Sequence, residues 1–215
     1  MTRDTRALGL LFSLAAFAAA FGYVEGAVVV YLRAIAYPAG FRFPLAPMDP
    51  ELVLTEVVRE AATIVLLLGV AFASAREGFR RFAAFAYCFG VWDLAYYATL
   101  KAVLGWPGSW LTWDVLFLIP AVWTGPVIAP VLVAAGLVVG GALLLALPPG
   151  ARCPLHRTDW LVLAAGGALI VLAFLWNAPR VAAGAAPGGF PWWLFGAGYL
   201  PAAAVFVARW SRRAA

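Results

Sequence analysis

Six ionisable residues stand inside otherwise apolar stretches of this chain: Glu25, Glu56, Arg59, Glu60, Asp93 and Lys101. Ionisable groups at membrane depth are costly, so they mark sites or ion pairs. Their spacing is helical. Glu56, Glu60 and Thr63 fall at i, i+4 and i+7 and share one face, with Arg59 on its border. Asp93, Tyr97 and Lys101 fall at i, i+4 and i+8, with Tyr96 beside them. Glu25 lies between Gly22 and Gly26, a small-xxx-small step that lets a second helix approach closely.

Glu25, Glu56, Glu60 and Asp93 set four carboxylates against two cations, Arg59 and Lys101. Buried carboxylates without partners take up protons or recruit a cation. The four are therefore candidates for general acid or base work. Should a metal be held, Glu56, Glu60 and Asp93 are the oxygen ligands a hard divalent cation would take. Arg59 and Lys101 would balance charge or hold an anionic group, and Tyr96, Tyr97 and Asp114 complete the ligand-binding set. A plainer reading stands beside this one. Arg59 between Glu56 and Glu60 is also what an ion pair locking two helices looks like, Asp114 also suits a helix start, and Tyr96 and Tyr97 also suit packing.

The absent residues restrict the chemistry. His156 is the single histidine and reads as a solvated loop residue, so haem held by two histidines and zinc–histidine sites are disfavoured. No phosphate-cradling glycine loop or dinucleotide fingerprint occurs, which disfavours nucleotide cofactors. Cys88 and Cys153 fall at different levels and have no metal or redox spacing. The net charge of +5 comes with no basic stripe interleaved with aromatics, so no nucleic-acid partner is expected.

The elements that must position these residues follow from composition. Of 215 residues, 65% are apolar and 12% charged, against about 45–50% and about 25% in soluble domains. The chain belongs in a lipid bilayer. About 20 apolar residues cross the hydrocarbon core as a helix, and six runs qualify: 7–32, 51–74, 82–105, 126–147, 159–177 and 192–208. The expected fold is an all-α polytopic bundle forming one transmembrane domain over 1–215. A short outer helix or re-entrant segment over Val115–Val122 precedes the fourth span, and one long kinked helix is the rival reading. Asp49-Pro50-Glu51 carries helix-start chemistry, and Thr112-Trp113-Asp114 and Thr158-Asp159 carry weaker forms of it.

With the N-terminus inside, ten Lys or Arg residues fall on the cytoplasmic side, Arg3, Arg6, Arg212 and Arg213 among them, against four outside (Arg33, Arg42, Lys101 and Arg180). Both termini are then cytoplasmic, and Ala, Gly and Arg usage suggests a bacterial inner membrane. The Arg3–Ala20 stretch also resembles a cleavable signal, but the apolar run resumes after Glu25. The charged residues of the first three spans converge on the outer half. The expectation is an outward-facing carboxylate-rich pocket among those spans, with Trp106–Trp123 as its lid. It would bind a small or lipid-like ligand, a proton or a cation, in a membrane enzyme or a proton-coupled carrier. The alternative is a non-catalytic subunit or assembly factor whose charges are structural pairs.

Overall fold

The computed structural model describes residues 3–148 and 150–214. Pro149 lies outside them, and the side chains of Arg3, Arg6, Arg212 and Arg213, counted above for orientation, lie outside the described ones. Helices occupy the six expected positions: α1 (Arg3–Ala36), α2 (Pro50–Ser74), α3 (Gly78–Leu104), α4 (Ile128–Leu145), α5 (Arg157–Leu175) and α7 (Trp192–Ala214), with a short α6 (Ala178–Ala182) between the last two. Four stretches, Ala7–Ala36, Pro50–Ser74, Ile128–Leu145 and Arg157–Ala182, are long and apolar enough to cross a membrane, as a helical membrane protein requires. The more polar α3 is packed against α1, α2 and α4, so little of it has to face lipid.

Helix α2 shows the membrane logic most clearly. Its buried residues are Glu56, Glu60, Thr63, Leu67 and Ala71, one helical stripe that begins with the charged groups. Val53, Leu54, Val58, Val65, Leu66 and Phe72 are exposed. Polar groups inside and apolar groups outside is the reverse of a soluble amphipathic helix, and it suits lipid as the outer solvent. The helix begins as its sequence implies: Asp49 Oδ1 accepts from Glu51 N at 3.0 Å, with Pro50 in the first turn.

Small residues set the helix crossings. A Cβ on Gly22 would run into Trp92 O, and one on Gly26 would lie 2.8 Å from Thr99 Cβ, so α1 and α3 touch through the step flanking Glu25. Gly90 and Gly141 do the same for α3 and α4, and Gly166 and Gly198 meet reciprocally between α5 and α7. Gly136 and Gly140, four apart on α4, face the rings of Tyr199 and Phe206 on α7.

Between α3 and α4 the structure departs from the sequence expectation. Neither a short outer helix nor one long kinked helix is present. The chain forms an antiparallel hairpin, β1 (Trp113–Phe117) with β2 (Trp123–Pro126), pairing Asp114 with Gly125 and Val115 with Thr124. Asp114 is thus a strand residue, not a helix-start acid. The local chemistry explains the change. Trp113, Val115, Phe117, Trp123 and Thr124 are β-branched or aromatic. Pro120 falls in the turn, and Pro126 sits at the end of β2, where a missing N–H costs little. Pro130 is tolerated in the first turn of α4. A hairpin also satisfies much of its own backbone, which a loose segment in a dry bundle would not.

The glycine contacts yield a stability test. Gly22→Val drives a side chain into the Trp92 carbonyl and should cost at least about 1–3 kcal/mol, the usual cost of overpacking. Gly9→Ala, with nothing within 4 Å of its new Cβ, should be neutral. Thermal melts of both variants in detergent check the difference; equal melting points would contradict this α1–α3 packing.

Candidate functional site

The inward stripe of α2 meets α1 and α3 in a layered charge network. Arg59 Nε donates to Glu56 Oε2 at 2.8 Å, one turn away on the same helix, and Arg59 Nη1 donates to Glu25 Oε1 on α1. Thr63 Oγ1 donates to Glu25 Oε2 at 3.2 Å. One guanidinium therefore neutralises two carboxylates and ties α1 to α2. Glu60 stands differently. Its Oε2 accepts the Leu118 backbone N–H of the hairpin turn at 2.8 Å, and among the described residues it has no ion pair.

A second pair lies under the hairpin. Arg33 Nη2 donates to Asp114 Oδ1 at 3.0 Å, and Tyr97 OH donates to Asp114 Oδ2 at 3.2 Å. The Arg33 guanidinium also lies 3.8 Å from the ring centroid of Trp106 and 4.5 Å from that of Phe41. Aromatic faces suit a weakly hydrated guanidinium in such a place. Asp114 is 1% exposed, so this pair carries its full desolvation cost. The hairpin is thus fixed by Arg33 from α1, Glu60 from α2 and Tyr97 from α3.

Beneath it lies a cavity of about 530 Å³. Glu25, Arg59, Glu60, Asp93, Tyr96 and Tyr97 line its polar end, beside Leu116, Phe117 and Trp123 of the hairpin. From there it follows α3 down to Phe82, roughly 22 Å of helix at about 1.5 Å per residue. That length is walled by apolar residues of α3, α4, α5 and α7, including Phe89, Leu144, Ile170 and Phe206. Three polar atoms on the wall residues are buried without a hydrogen-bond partner: Trp92 Nε1, Asp93 Oδ2 and Trp123 Nε1. Buried polar groups nearly always find partners, and these three all belong to residues of one cavity wall.

The arrangement gathers most, but not all, of the residues singled out by spacing. Glu25, Glu60, Asp93, Tyr96, Tyr97 and Arg59 meet at the polar end. Glu56 is buried but turned to Arg59, away from the cavity wall. Asp114 serves the hairpin. Lys101 does not join at all: it is exposed, and its Nζ donates to the carbonyls of Gly105 and Pro107 at 3.1 and 3.0 Å. The free carbonyls of a helix C-terminus draw an ammonium more cheaply than a buried site does. The pocket also extends past the first three helices, since α4, α5 and α7 supply much of its apolar wall. Among the described residues no three His, Cys, Asp or Glu side chains converge as a metal site, so Glu56, Glu60 and Asp93 do not form one as placed.

Sequence spacing missed three participants. Arg33 counts by position as an outer-boundary charge, yet it stands eight residues after Glu25 on the same α1 face. Spacing gives Trp92 no role and places Trp123 only at the end of the lid segment, and a single sequence carries no signal for their unpartnered indole N–H groups.

The Arg33–Asp114 pair is open to a double-mutant cycle. Arg33→Met or Asp114→Asn alone leaves a buried partner uncompensated and should cost about 3–5 kcal/mol, with the double variant costing less than the sum. Lys101→Met should stay within about 0.5 kcal/mol. Reversible unfolding in mixed micelles reads all four; additive losses would deny the coupling. Comparison of the chain with family models, curated proteins and solved structures finds no match.

Proposed function

We propose that this is a six-span protein of a bacterial inner membrane, with both termini cytoplasmic, that binds a lipid-like molecule in the cavity under the hairpin. The carrying observation is the shape and lining of that cavity: one end bears Glu25, Arg59, Glu60, Asp93 and two tyrosines, and the long remainder is apolar. An amphiphile has the same division, a polar head and a hydrocarbon tail, and mostly apolar pockets with a few convergent polar groups are where ligands bind. With the charge asymmetry of the loops setting orientation, the polar end falls in the outer half of the bilayer and the hairpin becomes its lid.

The charged residues divide between two tasks in this reading. Arg59 with Glu25 and Glu56, and Arg33 with Asp114, are matched within the chain and hold α1, α2 and the hairpin in register. These matched pairs are what a non-catalytic subunit would also show, and they favour that second reading for those five residues. Among the described residues Glu60 and Asp93 are in no ion pair. They are the groups placed to exchange a proton with a ligand, as an enzyme's general acid or base or as the coupling carboxylates of a carrier.

Gly167 offers a test that spares the charges. It lines the cavity, and a Cβ added there meets nothing within 4 Å. Gly167 is exposed, so Gly167→Phe should set a ring at the open edge of the cavity with no clash at its Cβ, and so obstruct entry. The expected result is an unchanged melting temperature without ligand, and a loss of single-chain lipid that co-purifies with the wild type or crosslinks through a photoreactive tail. Equal lipid retention in wild type and variant would overturn the reading.

A further inference from the structure

We infer that the head group taken by this cavity is cationic: a long-chain amine, with its nitrogen held by Asp93 and Glu60 among aromatic rings. The inference rests on the lipid-binding reading above and narrows it to one class of ligand.

The first argument is a charge count on the wall. Glu25, Glu60 and Asp93 line the cavity, and Arg59 is the one Lys, Arg or His lining it among the described residues. Arg59 is already held by Glu25 and Glu56, so it has little positive charge to offer an incoming anion. Arg33, paired with Asp114 through Nη2, and Lys101, turned to loop carbonyls, do not line the cavity. Two carboxylates thus face the cavity without a cation. Glu60 is 7% exposed and has a single backbone donor, and Asp93 Oδ2 is buried with none. An anionic head placed there would meet repulsion from both; a cationic head would supply what both lack.

The second argument is the company these carboxylates keep. Trp92, Phe89, Phe117 and Trp123 form a connected aromatic cluster on the cavity wall, with ring centroids 5.4 to 6.3 Å apart. Tyr96 and Tyr97, whose ring centroids are 4.9 Å apart, line the same cavity. Aromatic faces attract organic cations, and more strongly when water is excluded. The third argument is the pair of unpartnered donors. Trp92 is 5% exposed, and its indole N–H and that of Trp123 have no acceptor among the described residues. An amine whose neighbouring carbon carries a hydroxyl or ester oxygen would answer these donors as well as the carboxylates. A simple alkylamine would leave them open.

The test uses three probes with one tail: hexadecylamine, hexadecanol and hexadecyl phosphate, titrated into the full chain in maltoside micelles and read by native mass spectrometry. The net charge of +5 biases non-specific binding toward the phosphate, so a preference for the amine must come from the cavity. The amine should bind about tenfold or more tighter than the alcohol, and the phosphate weakest. Asp93→Asn should bring the amine down to the level of the alcohol while alcohol binding holds, and Glu60→Gln should act in the same direction. Should Asp93→Asn fail to fold, Glu60→Gln and the ranking in the wild type still decide. Phosphate binding tightest would overturn the inference and make Arg59 the anchor. Equal binding of amine and alcohol, unmoved by either substitution, would overturn it and leave the lipid cavity standing. If no probe binds, or if Gly167→Phe retains all three, the cavity reading itself fails.

Discussion

A charged group buried between helices apolar enough to cross a membrane has no water to turn to, so its partner has to come from within the protein or from a ligand. That constraint turns α2 inside out, with Glu56, Glu60 and Thr63 inward and valines and leucines outward. It also explains why Arg59 bridges two helices. A guanidinium has several donors in a planar fork, so one side chain can neutralise Glu56 on its own helix and Glu25 on the next. A lysine at that position could supply the charge without the geometry. The glycines at 22 and 26 belong to the same solution, since close approach of α1 to α3 keeps Glu25 out of lipid and within reach of α2.

The hairpin obeys the same rule by another route. A chain that dips among helices carries peptide groups that neither water nor lipid will bond. Pairing β1 with β2 satisfies part of them, and Glu60 takes the Leu118 N–H at the turn. The outer strand residues are then fixed by Arg33 and Tyr97 through Asp114. Glu60 consequently has two relations: it holds the lid and it lines the space beneath. A change of its protonation or the arrival of a cation beside it would act on the hairpin directly. Under the proposed lipid-binding reading, this one side chain would link occupancy of the cavity to the stability of the hairpin.

The positions of the helices were legible in the sequence because hydrophobic length is a strong, local signal: six runs of apolar residues became helices near the expected bounds, with α7 running past the expected end at Ala208 to Ala214. The convergence of Glu25, Arg59, Glu60 and Asp93 was legible too, since helical periodicity fixes faces and alternating direction fixes depth. What escaped was decided by contacts between distant segments. Prolines at 120, 126 and 130 announce irregular backbone and the β-branched and aromatic residues permit strands, but the packing of Phe117 and Trp123 against α3 and α5 adds what the local sequence does not show. Lys101 shares a face with Asp93 by arithmetic, yet the open carbonyls after Leu104 compete for it and win, because a long flexible ammonium reaches them without leaving the exposed surface. Arg33 errs in the opposite direction. A boundary position suggested an exposed charge, and the strand acid Asp114 drew it inward.

The exchange of Lys101 for Arg33 alters the charge balance that any function must respect. Counting by spacing, four carboxylates oppose two cations. Counting by position in the fold, Asp114 joins the acids and Arg33 replaces Lys101, so five carboxylates (Glu25, Glu56, Glu60, Asp93 and Asp114) face two guanidiniums. Three carboxylates are matched by geometry, and the two left over are both on the cavity wall. A structure that needed charge only to lock its helices would place the surplus where lipid headgroups or water could screen it. Here the surplus is concentrated at the polar end of a space large enough for a ligand, beside indole donors that are also unmatched. Helix locking accounts for the matched set, and the unmatched set is where the chemistry of this protein has to be sought.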